Sequence, residues 1–209
     1  SSCCQKVLIA ARVLGVALDE RMVNLGDPAD RAMLHAISPT AKMPALVDRG
    51  RAVAETSIII EYLQLKHRGA VRLLPEEPIQ ALDVRFHDRF FDLHVMSPVQ
   101  HAVNGALSGD DGKRDEARAF SVQKLELAYA WLESQLPGRR WACGEAFSMA
   151  DCAAAPSLFY ADWTHRISDD YPLLLDYRQR LLQRPSFARA VDEARVYRHL
   201  FPLGAPDRD

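Results

Sequence analysis

Lys42-Met43-Pro44-Ala45-Leu46-Val47-Asp48-Arg49-Gly50-Arg51-Ala52-Val53-Ala54-Glu55-Thr56 is the stretch on which the reading of this chain turns. Two short apolar runs, Ala45 to Val47 and Ala52 to Ala54, flank Asp48-Arg49-Gly50-Arg51, whose residues suit a tight turn, so the pair reads as a β-hairpin. Thr56 to Lys66 reads as the helix that follows. Pro44 stands at the head of a strand, where it costs a ladder bond. A cis Met43-Pro44 bond is one reason to keep it there, although only about 5 to 6% of X-Pro bonds are cis and an ordinary trans turn is the commoner outcome.

Working outward, Ser1 to Leu14 reads as a helix with Ser1 and Ser2 at its cap, Val7, Leu8, Ala11 and Leu14 at helical spacing, and Gly15 at its exit. Val16 to Leu25 is expected to be a strand ending at Gly26-Asp27-Pro28, and Ala29 to Ile37 a short helix closed by Ser38-Pro39. Beyond Lys66 the pattern changes. His67 to Pro78, with Gly69, Pro75 and Pro78, reads as a linker. Ile79 to Val103, Lys113 to Leu136, Met149 to Trp163, Tyr171 to Gln183 and Ser186 to His199 all carry helical periodicity, so the second half is a helical bundle. No repeat interrupts this order.

The chain has 209 residues, 48% hydrophobic and 26% charged, which suits one compact unit or two small packed domains. Its formal net charge of -2 gives no strong pull toward nucleic acid or an anionic membrane surface. Cys3, Cys4, Cys143 and Cys152 form no Cys-x-x-Cys pair, so reduced thiols in a reducing compartment are expected. With no apolar run of about 18 residues and no leader pattern at the amino end, the expected location is cytoplasmic.

Three places carry chemistry. Ser1-Ser2-Cys3-Cys4 opens a helix, where unpaired N–H groups and the macrodipole favour an anion. If that anion is a thiolate, moving its pKa from about 8.5 to about 6.5 takes roughly 2.7 kcal/mol. The helix terminus supplies about 0.3 to 1 kcal/mol, and a hydroxyl donating a charge-assisted bond supplies about 1.5 to 3 more. Capping alone also accounts for serines here, without excluding that chemistry. Cys3, at the same helix start, is a second candidate as a reactive thiol. Glu55-Thr56 lies where the hairpin meets a helix: Thr56 offers a hydroxyl and an N–H to a carboxylate, and Glu55 can pair with an ammonium. Together they suit an amino-acid head group, although a capping threonine beside a solvated acid fits as well.

His87, His94 and His101 recur every seven residues, a rise of about 10 Å that is too long for one metal ion, so no metal site is expected and a polar stripe facing a cleft or partner helix is. Phe147-Ser148-Met149-Ala150-Asp151 reads as a capping box, a folding signal that is not catalytic. His87, Phe91, His94 and Met96 are expected to line a pocket in the helical half.

Taken in order, Ser1-Ser2-Cys3, Lys42-Met43-Pro44-Ala45-Leu46, Glu55-Thr56 before Ile58 to Leu63, and Ser148 to Asp151 resemble the glutathione transferase superfamily nearly end to end. The Ser-Ser-Cys opening looks most like the zeta class, which includes maleylacetoacetate and maleylpyruvate isomerases. That class usually carries an aromatic or histidine and then Arg where this chain has Gln5-Lys6, and Gln-Ser where it has Glu55-Thr56.

The resemblance implies an α/β thioredoxin-like N-terminal domain over 1–66, a linker over 67–78 and an all-α C-terminal helical bundle domain over 79–209. The family's first strand falls ahead of Ser1, so the true amino terminus is expected to lie upstream. Glutathione is the implied cosubstrate, with Ser1, Ser2 and Cys3 at its sulfur, Lys42, Met43 and Pro44 along its backbone, and Glu55 and Thr56 at its γ-glutamyl end. The implied activity is attack of the glutathione thiolate on a small electrophile, by conjugation or cis-trans isomerisation, in a homodimer. Cys3 also matches the reactive cysteine of tetrachlorohydroquinone dehalogenases, which implies a reductive dehalogenase or thiol transferase as an alternative. A non-catalytic module that keeps the fold as an interaction surface is the third reading.

Overall fold

The computed structural model describes residues 1–67 and 69–209. Helix α1, Ser2–Leu14, buries Val7, Ile9, Ala10 and Ala11 and ends where Gly15 turns left-handed at φ 70, a conformation only glycine adopts without strain. The expected strand over Val16 to Leu25 does not form: Val16 through Asn24 carries no ladder bonds among the described residues. Alternation prepares a strand, but pairing needs a neighbouring edge. Val16 and Leu18 pack onto the core instead, while Met22 and Leu25 face solvent. Asp27 then caps helix α2, Pro28–Ile37, accepting the Ala29 N–H at 2.9 Å.

The hairpin forms with each strand one residue nearer the turn than expected. β1, Leu46–Asp48, pairs antiparallel with β2, Arg51–Val53, with Leu46 opposite Val53. Arg49 at φ 50 and Gly50 at φ 83 supply the two left-handed residues that match the strand twist. Helix α3, Thr56–Lys66, follows and packs on α1 through Ile59, Ile60 and Leu63. Of the expected linker His67 to Pro78, Arg68 lies outside the described residues. Its middle is tied down: Gln64 accepts the N–H groups of Leu73 and Leu74 at 2.7 and 2.9 Å, and Leu73 is fully buried.

The helical half begins with α4, Pro78–Phe90, and α5, Ser97–Leu107, separated by a π-helical turn over Phe91–Met96. The sequence pattern reads as one helix here. Pro98 lacks the N–H that α-helical bonding would use, and the wider turn ahead of it absorbs the mismatch. The inserted turn also breaks the histidine stripe. His87 is buried with Nδ1 2.8 Å from the Asp83 carbonyl, whereas His94 is exposed against the Phe90 ring and His101 lies on Phe120. They share no cleft.

Helix α6, Asp111–Gln135, and α5 make the closest helix crossing. It depends on Gly105, because a Cβ there would sit 2.5 Å from the Ala117 Cβ and 3.2 Å from the Lys113 carbonyl. Gly105→Ala gains helix propensity of about 1 kcal/mol but forces two backbones apart. The expected net effect is a loss of about 1–2 kcal/mol in chemical denaturation.

Helix α7, Met149–Thr164, runs through the centre and is buried on nearly every side, as its Ala-rich sequence permits. Its start is fixed by Asp151, fully buried, which accepts the Ser148 N–H at 2.8 Å, the Ala142 N–H at 2.8 Å and the Tyr177 hydroxyl at 2.6 Å. Burial raises the Asp151 pKa despite these donors. The residue holds the fold and sits at the base of no cleft. Helices α8, Pro172–Leu182, and α9, Pro185–Ala194, and a 3-10 turn over Arg195–Leu200 complete the bundle.

Candidate functional site

The site is assembled where the start of α1 meets the start of α3. Lys6, one turn beyond Ser2, has its ammonium 3.1 Å from the Ser57 hydroxyl, and Ser57 directly follows Thr56. Two helix N-termini therefore converge, each with unpaired N–H groups that favour anions. The hairpin brings the third element: Met43-Pro44 leads into β1, and β2 leads out to Glu55 at the start of α3.

Each residue singled out from the sequence has a definite place. Ser1 is the N-cap of α1, exposed, and its side chain makes no capping bond. Ser2 is half-buried and donates to the Met96 sulfur at 3.4 Å, so its hydroxyl faces the helical half. Cys3 is exposed as a residue, but its thiol is hemmed in. Burial first, and then Asp92, push its pKa above the ordinary thiol value, against smaller opposing effects of Ser2 and Lys6.

The Met43-Pro44 bond is cis, both residues are half-buried, and Lys42 is exposed. Thr56 is the first residue of α3 and half-buried. Glu55 is exposed and held at φ 68, a left-handed conformation that costs about 1–3 kcal/mol for a residue with a side chain. No hydrogen bond among the described residues joins the side chains of Ser1, Lys42 and Glu55 to one another.

Four residues that the sequence reading did not place lie beneath this surface. Lys6, with 3% of its side chain exposed, pairs with Asp88 at 2.7 Å and with Asp92 at 2.9 Å. The first is a close charge contact, not an aligned hydrogen bond; the Asp88 oxygen that is hydrogen-bonded accepts the Ser57 hydroxyl at 2.5 Å. Burial raises the Asp88 pKa, with Lys6 and then Ser57 pulling it back. The signal was present: Lys6 sits among Val7, Ile9 and Ala10, and Asp88 and Asp92 share a helix face.

Between α1 and the helical half lies a narrow open crevice of about 10 Å³, bordered by Ser2, Cys3, Lys6, Asp92, Met96 and Pro156. Of the residues expected to line a pocket, only Met96 reaches it. His87 and Phe91 are buried in the packing, and His94 faces elsewhere because the π turn rotates it away. A larger groove, about 240 Å³, lies by α8 and α9 near Arg195 and Asp209 and shares no residue with this site.

A serine that makes no capping bond at one helix start, a cis-proline ahead of a hairpin and a strained acid at the next helix start share one face of a small αβ layer docked on a helical bundle. Residues 1–66 match the glutathione S-transferase N-terminal domain model and residues 115–180 the corresponding C-terminal domain model. A probable maleylacetoacetate isomerase of Caenorhabditis elegans is 30% identical over 198 residues, covering 91% of this chain and 88% of that protein. A zeta class glutathione S-transferase of Euphorbia esula is 28% identical, covering 92% of this chain and 87% of that one. A Methylobacterium radiotolerans glutathione S-transferase solved in complex with glutathione sulfonate superposes with a TM-score of 0.76 at 27% identity, covering 91% of this chain and 90% of that one. The chain belongs to the glutathione S-transferase family.

Proposed function

We infer that this chain is a glutathione transferase that binds glutathione across the two helix starts, lowers the pKa of its thiol, and delivers the thiolate to a small electrophile. The observation that carries the reading is Glu55. A strained backbone at an exposed acid is kept only when something depends on it, and here it presents a carboxylate at the start of α3 beside the N–H groups of Thr56 and Ser57. An α-amino acid end fits that pair, ammonium to Glu55 and carboxylate to the helix start. Met43 offers backbone groups ahead of cis Pro44 for the middle of an extended tripeptide, and Ser1 keeps a free hydroxyl at the start of α1 for its sulfur.

Glu55→Gly tests this directly. Glycine tolerates the positive φ, so stability should hold or rise by up to about 1 kcal/mol. Loss of the carboxylate should at the same time weaken glutathione binding about tenfold by titration calorimetry. Unchanged affinity would remove Glu55 from the site. A raised Cys3 pKa counts against the competing reading in which Cys3 itself attacks, since the thiolate is the reactive form.

The same inference includes a homodimer. Ile58 and Leu65 on α3 and Leu82 and Phe86 on α4 are exposed apolar residues around the bidentate Arg85–Glu61 pair, whose bonds are 2.9 and 2.8 Å. Such a patch suits burial against a second copy. No helix among the described residues is long and apolar enough to cross a membrane.

A further inference from the structure

The crevice beside Ser2 and Cys3 holds about 10 Å³, whereas pockets for small ligands run to about 300 Å³ or more, so an acceptor reaches a sulfur held there only if a wall moves. On α7 the wall is Ala153, Pro156 and Ser157, and the next residue on that face, one turn on, is Tyr160. Burial raises the Tyr160 pKa and Gln5 of α1 opposes it, which sets the two side by side. Phe201 closes over this end, its ring 5.9 Å from that of Tyr160 and 5.4 Å from that of Trp163.

Residues 201–209 form no helix or strand. They are fastened to α7 by the Phe201 ring and by Arg208, whose guanidinium donates to the Asp162 carboxylate at 3.0 and 3.2 Å and to the Asp162 carbonyl at 2.8 Å. Asp209 pairs with Arg195 and Arg198, which folds the segment back on the turn that leads into it. Arg178 on α8 competes for the same Asp162 oxygen. Its side chain is 10% exposed and its Nη2 stops 3.4 Å short, and both Nε and Nη2 are buried with no hydrogen-bond partner among the described residues. Unmet buried donors are costly. If Arg208 leaves, Arg178 has the carboxylate to itself. Release therefore breaks one ion pair and tightens another, the condition for two discrete arrangements of similar free energy.

We propose that residues 201–209 are a strap over the acceptor end of the crevice, latched by Arg208 on Asp162 and released when Arg178 takes over that carboxylate. The inference rests on the glutathione reading above and adds how the acceptor enters. With Phe201 withdrawn, Tyr160 loses the ring packed on it and the α7 face from Pro156 to Tyr160 opens beside the start of α1. A site open part of the time binds in proportion to its open fraction. A group carried on the glutathione sulfur is subject to that reduction, whereas the tripeptide, held at 43–57 in the proposed mode, is not.

The test compares glutathione with S-hexylglutathione, whose alkyl chain has to enter this space, by titration calorimetry on the full chain, alongside hydrogen exchange of residues 201–209. Arg208→Gln should speed that exchange about tenfold or more and raise S-hexylglutathione affinity about three- to tenfold, with glutathione affinity moved less than about twofold. Arg178→Met, which leaves Arg208 unopposed, should slow the exchange and weaken S-hexylglutathione about threefold. Simple loss of packing would loosen the segment in both variants. Unchanged exchange in Arg208→Gln, or shifts of one sign in both, overturns the latch, and faster exchange with an unmoved affinity ratio overturns the gate. If the wild type does not bind glutathione, the transferase reading fails and the gate with it, while exchange still decides the latch. Should Arg178→Met fail to fold, Phe201→Ala replaces it: the ratio of S-hexylglutathione to glutathione affinity should rise as in Arg208→Gln, and an unmoved ratio overturns the gate.

Discussion

Lys6→Met is expected to lower the unfolding free energy by about 3–5 kcal/mol at neutral pH, measured by urea denaturation. The methionine fits the space of the lysine stem, so packing is nearly conserved. What is lost is the charge. Asp88 is then left 1% exposed with only the Ser57 hydroxyl as partner, and an uncompensated buried carboxylate is among the largest single penalties a core can carry. The double variant Lys6→Met with Asp88→Asn should recover most of the loss, because the unpaired charge goes with it. If the double variant is as unstable as the single one, the loss is one of packing and the charge argument is wrong.

The pH dependence has a definite sign. Burial already raises the Asp88 pKa in the wild type, and removing Lys6, the largest opposing influence, raises it further. A carboxylate whose folded pKa lies above its unfolded value takes up a proton on folding. Its folded form is therefore favoured at low pH and loses stability as pH climbs through the folded pKa. The penalty of Lys6→Met should be small near about pH 4 and fully developed near about pH 7, the reverse of ordinary acid denaturation.

What could be read from the sequence follows from how local each signal is. Arg49-Gly50 specifies its turn from adjacent residues, so the hairpin stays centred where the sequence places it although each strand reaches one residue further in, and Ser148 with Asp151 closes a helix start over three positions as read. Val16 to Leu25 shows the limit: strand periodicity describes two faces, but the ladder needs an edge that the periodicity does not contain. The π turn at Phe91–Met96 was hidden because Pro98 announces a disruption without saying whether the chain breaks, kinks or inserts a residue. Its consequence is large for the site, since it decides that Met96 faces the cleft and His94 does not. The Lys6, Asp88, Asp92 and Ser57 cluster joins partners 31 to 86 residues apart. Only a charged residue inside an apolar helix face betrayed it, and nothing local named its partners.

Ser1→Ala is expected to cut glutathione-dependent kcat/KM by about ten- to a hundredfold at neutral pH while shifting the pH profile upward by about one to two units. Both figures come from one source: a hydroxyl bond to a thiolate is worth about 1.5–3 kcal/mol, and each unit of pKa is about 1.36 kcal/mol. Among the described residues the Ser1 hydroxyl makes no capping bond at the start of α1, while the neighbouring Ser2 hydroxyl is turned toward the Met96 sulfur. Ser1 is therefore the better placed donor, and Ser2→Ala should move the profile less. Glutathione affinity should change under about threefold, since in the proposed binding mode Glu55, Thr56 and the Met43-Pro44 turn hold the rest of the tripeptide. A merely structural role would lower activity at every pH alike. Recovery of the Ser1→Ala rate at high pH, where the thiol ionises without help, is the outcome that separates thiolate stabilisation from loss of fold, and a flat deficit across the pH range would remove Ser1 from the chemistry.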